Sequence, residues 1–162
     1  MMLTIVRGVA LLSTFVPLIA AGAHVYEWPN KLALDGPLWL AIQQNLYRGW
    51  GPVLGPFEVV AAAATWLLLH MVRARRSLMV PTFIAALALS AMIAVFFLFN
   101  APVNAAVAAW TAQSLPADWP TYRRQWEAGH ALAFLCALVA FCLLLRTAFT
   151  DGRSSGVGSG ST

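Results

Sequence analysis

VPTFIAALALSAMIAVFFLF, residues 80–99, carries no charge over its whole length. A helix crossing the hydrocarbon core of a bilayer needs roughly 20 apolar residues, and this run supplies them. Three further runs of similar character lie at about 3–23, 52–71 and 129–145, so the chain reads as four spans of about 3–25, 52–71, 80–100 and 127–148. Hydrophobic residues make up 60% of the 162 residues and charged residues 10%, whereas a soluble domain carries about a quarter charged. The expected fold is therefore an all-α integral membrane protein. It comprises a single four-helix transmembrane domain over residues 1–150 and a flexible Gly/Ser-rich tail over 151–162.

The first run also has the layout of a secretory signal peptide, with Arg7, an apolar stretch and the small residues Ala21, Gly22 and Ala23. Cleavage there would leave His24 at the N-terminus, where its amine and ring could chelate copper. Retention as a span agrees better with the charges. In a four-span layout Arg7, Arg73, Arg75, Arg76, Arg146 and Arg153 fall on one side, and Lys31, Arg48, Arg123 and Arg124 on the other. The positive-inside rule makes the first side cytoplasmic, which puts both termini inside; a bacterial inner membrane is the expected location. The net charge of +4 is mainly this bias and calls for no nucleic-acid partner; membrane lipid is the expected surrounding and an apolar small molecule the expected visitor. Cys136 and Cys142 stand about 240° apart on a helix and read as core filling.

The long outer connections hold more structure. Pro29 predicts a helix end near Trp28. Asp35, Gly36 and Pro37 then predict a new start, with Leu38, Ile42 and Leu46 forming the apolar stripe of an interfacial amphipathic helix. Trp28, Trp39, Trp50, Trp110, Trp119 and Trp126 gather on this side, as in an interfacial aromatic belt. In FLFNAPVNAAVAAW, residues 97–110, the helical pattern continues beyond the third span, and Pro102 predicts a kink that frees the Leu98 carbonyl.

Polar residues converge at the outer end of all four spans. His24 and Glu27 close the first, Glu58 lies near the start of the second, Asn100 and Asn104 end the third, and Glu127 and His130 open the fourth. Residues three apart share a helix face, so each of the HxxE and ExxH pairs presents a carboxylate beside an imidazole. An ionisable group in a membrane costs a few kcal/mol unless it is partnered, which makes the set a candidate site. Its chemistry suits a single transition metal on some of His24, Glu27, Glu58, Glu127 and His130, or a haem between His24 and His130. A metal-free catalytic pocket fits as well. So does a structural cluster in which Arg123 pairs with Glu127, the asparagines satisfy freed carbonyls, and small residues at 61–64 let the helices approach closely.

The stretches AHVYEWPNKLALDGPLWLAIQQNLYRGWG, FNAPVNAAVAAW and LPADWPTYRRQWEAGHAL resemble the anthrone oxygenase-like membrane proteins, in order and spacing, over about residues 10–146. The most specific elements are Asn100-x-Pro102-x-Asn104 and Trp126-Glu127 with His130. The resemblance implies a four-span bundle and oxidation of an apolar, anthrone-like substrate without a conventional organic cofactor. Under that reading His130 or Glu127 is the general base, Asn100, Asn104 or Arg123 stabilises the enolate oxygen, and Trp28, Trp110 and Trp126 stack a flat ring system.

Overall fold

The computed structural model describes residues 1–156, with side chains described as far as Asp151. The elements are α1 (Met2–Leu32), α2 (Gly36–Asn45), α3 (Trp50–Val72), α4 (Arg76–Val95), a π-helical turn (Phe96–Asn100), α5 (Ala101–Ala109) and α6 (Trp119–Gly156). Among the described residues there is no strand, and four helical stretches are long and apolar enough to cross a membrane: α1, α3, α4 through α5, and α6. They pack in an up-down-up-down ring, α1 on α3, α3 on α4, α4 on α6 and α6 back on α1. The first and last helices are thus direct neighbours.

Small residues make this ring tight. Ala10, Ala61, Ala85, Ala137 and Ala140 are fully buried at the centre, interleaved with Leu68, Leu89, Met92 and Leu144. Lipid is as apolar as leucine, so close backbone approach rather than water exclusion holds such an interface. Hydroxyls inside it are satisfied locally: Thr14, Thr65 and Thr82 each donate to the carbonyl four residues back, at 2.7 Å. At the arginine-rich end Arg7 of α1 and Arg75, just before α4, both pair with Asp151 of α6. That clamps the termini of the bundle.

The helices overrun their apolar cores, and one proline expectation is corrected. Pro29 does not end α1, which continues to Leu32. The guanidinium of Arg123 explains the extension, since its Nη1 donates to the carbonyls of Lys31 and Leu34 at 2.9 Å each. Tertiary hydrogen bonds to the last turn outweigh the local preference before proline. Before Pro102 the third span widens into the π turn, and the Ala101 N–H reaches back to the Phe96 carbonyl. A π turn inserts one residue and rotates everything after it.

Helix α2 begins where expected, with Asp35 accepting from the Leu38 N–H at 2.9 Å. Its apolar stripe turns away from the bundle. Leu38 and Leu46 are exposed, and the buried positions are Gly36, Trp39, Leu40 and Gln43. Gln44 fixes this rotation by donating to the carbonyls of Val107 and Trp110 at 2.8 Å each. As a result several tryptophans assigned to a belt build a second core. Trp39 and Trp126 are buried with Leu40, Val103 and Val107, and Trp110 and Trp119 pack against them. The segment read as a flexible tail starts in helix, since α6 runs to Gly156; the remainder, 157–162, lies outside the described residues.

Candidate functional site

The C-terminal end of α1 and the N-terminal end of α6 bring His24, Glu27, Glu127 and His130 together, and Lys31 stands at their centre. Its ammonium lies 3.1 Å from Glu127 Oε2, 3.4 Å from Glu27 Oε2 and 3.3 Å from His24 Nδ1. Lys31 and Glu127 are both buried, at 5% and 1% side-chain exposure, whereas Glu27 is 45% exposed. Glu127 Oε1 accepts no hydrogen bond among the described residues. The Tyr47 hydroxyl, from the α2–α3 connection, donates to Glu27 Oε2 at 2.6 Å. Burial, reinforced by that hydrogen bond and by the carboxylate charges, pushes the Tyr47 phenol well above its usual range.

Aromatic rings close the cluster. His24 and His130 stack with centroids 4.1 Å apart, and Trp126 meets both edge-on, at 4.8 and 4.1 Å. The Lys31 ammonium sits 4.9 Å from the Trp126 ring centroid. Trp126 itself is clamped by the two asparagines of the third span. Asn100 Nδ2 donates to its carbonyl at 3.0 Å, and its indole N–H donates to Asn104 Oδ1 at 2.9 Å. Gly129 makes this approach feasible, because a Cβ there would run into Asn100 Oδ1 and lie 2.8 Å from Phe99 Cβ.

Towards the membrane interior, His24, Glu58, Asn100 and His130 line a small cavity of about 40 Å³. That volume takes roughly two or three waters or a diatomic gas. Neither ring nitrogen of His130 makes a hydrogen bond, and Glu58 makes no hydrogen bond or ion pair, among the described residues. His24 has its Nδ1 beside the Lys31 ammonium, so a neutral ring accepts there and carries its proton on Nε2.

Comparisons with family models, with curated proteins and with solved structures found no match.

The polar residues expected at one depth do meet, but several occupy other places than those expected. Arg123 does not pair with Glu127; it is tied to the end of α1 and lies 4.6 Å from the Trp119 ring centroid. The tryptophans form no common stacking cradle. Trp126 is inside the histidine cluster, Trp110 packs edge-on against Tyr122, and the Trp28 indole N–H is buried without a partner among the described residues. The metal set does not fit a coordination sphere. Among the described residues no three His, Cys, Asp or Glu side chains are grouped to hold an ion, and the Lys31 ammonium stands between the two carboxylates. A haem between His24 and His130 does not fit either, because the rings are in contact and leave no slot for a porphyrin disc.

Sequence reasoning missed Lys31 and Tyr47. With the helix stopped at Trp28, Lys31 fell into a loop and counted only towards topology. Carried past Pro29, the register His24, Glu27, Lys31 follows spacings of three and four and is one continuous stripe.

Proposed function

We propose that this chain is a membrane oxidoreductase of the anthrone oxygenase kind, oxidising an apolar molecule with an acidic CH2 beside a carbonyl. The placement proposed with it is a bacterial inner membrane with the arginine-rich end in the cytoplasm and the polar site near the outer face. The observation that carries the reading is the cavity that His24 and His130 share. One imidazole there has both nitrogens free of hydrogen bonds among the described residues, and the other is polarised by an ammonium. The order of the three stretches that resemble that family supports the same conclusion.

In this mechanism His130 removes a proton from the CH2, leaving an enolate. The His24 Nε2–H donates to the enolate oxygen, and Lys31 strengthens that donor from the opposite side of the ring. The enolate carbon transfers its electrons to O2 and forms a C–O bond, and the peroxide anion takes a proton to become a hydroperoxide. Loss of the remaining C–H proton with cleavage of the O–O bond gives the ketone and water. The sum is CH2 + O2 → C=O + H2O, with O2 as the oxidant. The cavity is far below the 300–1,000 Å³ of an ordinary ligand pocket, so it takes the reacting edge and O2 only. Binding of a tricyclic substrate then requires Leu54 and Phe96, which line the cavity from α3 and the π turn, to move aside.

The test is oxygen uptake and quinone absorbance with anthrone-type substrates, using protein in lipid nanodiscs. His130→Ala and His24→Ala should each lower turnover by about 10²–10⁴-fold. Full activity in both variants sinks the proposal. A second reading, a purely structural cluster, draws on the engagement of Asn100, Asn104 and Arg123 in helix contacts. Under that reading the same variants lose stability and there is no turnover to lose.

A further inference from the structure

At the end of the bundle away from this site the cations divide into two kinds. Arg7 and Arg75 pair with Asp151, and Arg73 Nη1 lies 3.0 Å from His70 Nδ1. Arg76 and Arg146 make no side-chain hydrogen bond or ion pair among the described residues. These two belong to different helices, α4 and α6, yet both line one groove of about 430 Å³, with Ser77 beside them.

The groove is amphipathic along its length. Arg76, Val80 and Ile84 are spaced four apart and form one line down α4; Leu143, one turn from Arg146, flanks them on α6, and Pro81 completes the lining. Val80 and Ile84 are 43% and 44% exposed, on a surface that faces hydrocarbon in a membrane. The charged mouth thus leads directly into an apolar channel parallel to the helices. No side chain caps the N-terminus of α4, so its first-turn N–H groups add positive potential at the same mouth.

We propose that this groove binds an anionic phospholipid, with the phosphate held between Arg76 and Arg146 and an acyl chain laid along Val80, Ile84 and Leu143. Two cations without a counterion among the described residues select against a zwitterionic headgroup. The apolar wall selects against free phosphate. The inference is independent of the proposed oxidation chemistry.

Native mass spectrometry of the detergent-purified protein tests it, titrating dioleoyl phosphatidylglycerol, dioleoyl phosphatidylcholine and inorganic phosphate separately. Wild type should retain phosphatidylglycerol in preference to the other two. Arg76→Gln/Arg146→Gln should weaken that binding roughly thirtyfold, taking about 1 kcal/mol per basic residue. Arg48→Gln/Arg73→Gln lowers the charge equally and should leave it unchanged. Ile84→Trp, which keeps both arginines and fills the apolar part, should also lose retention. Equal weakening by both double variants would reduce the effect to diffuse charge and overturn the proposal. Equal retention of phosphatidylcholine, phosphate binding as tight as the lipid, or unimpaired binding by Ile84→Trp would each overturn it too.

Discussion

The Lys31 ammonium and the Glu127 carboxylate meet at 3.1 Å across the seam between α1 and α6, both buried. Removing one partner of a buried pair leaves an uncompensated charge, and the loss is about 3–5 kcal/mol. Lys31→Met should therefore lower the melting temperature strongly, and Lys31→Met/Glu127→Gln should recover much of the loss. A double-mutant cycle by thermal melting in detergent measures this coupling. Strictly additive effects would show that the pair does not act as a unit.

Tyr47 gives a pH signature. Its phenol is held above the usual value, so the neutral, donating form is favoured by folding. The stability from this shift is fully present below about pH 10, the ordinary phenol value, and is lost as pH rises through the raised one. Tyr47→Phe should flatten the alkaline limb of the stability profile and leave its slope near neutrality unchanged. A variant with an unaltered alkaline limb contradicts the assignment.

Glu58 is expected to behave differently from the other acids. It lines the cavity but has no hydrogen bond or ion pair among the described residues. Glu58→Gln should therefore hold or raise the melting temperature, because it removes an unpartnered ionisable group that costs a few kcal/mol in a membrane. A large fall in melting temperature would mean that the carboxyl is held by a network through the cavity.

Gly129 should tolerate no side chain. A Cβ would collide with Asn100 and crowd Phe99, and Asn100 is committed to the Trp126 carbonyl. Overpacking of this kind costs about 1–3 kcal/mol, so Gly129→Ala should lower the melting temperature and disturb Trp126 fluorescence. Gly8→Ala, within α1, serves as the comparison, because the same added Cβ meets nothing within 4 Å there.

The membrane spans and the shared depth of the polar residues were legible because both follow from quantities local to the chain: run length, charge and helical rise. Residues 80–99 needed no partner to declare themselves. The hub of the site was hidden by one local rule applied too far. Proline before position 30 reads as a stop, and what overrides it is Arg123, distant in the chain, bonded to the Lys31 and Leu34 carbonyls. The rotation of α2 was equally out of reach. Leu38, Ile42 and Leu46 form a proper apolar stripe, but Gln44 finds its acceptors in α5 and turns Leu38 and Leu46 outward. The Asn100–Trp126–Asn104 clamp depends on a π turn whose extra residue no local pattern announces.

Because the cluster is shared between the first and last spans, the order of synthesis matters to it. A ribosome delivers α1 to the membrane long before α6 exists, so Lys31 arrives without Glu127. Glu27, four residues earlier on the same helix and still within 3.4 Å in the finished fold, is the acid at hand to neutralise it. The partly exposed glutamate is the one acidic side chain of α1, so this half of the ion cluster is complete within a single helix.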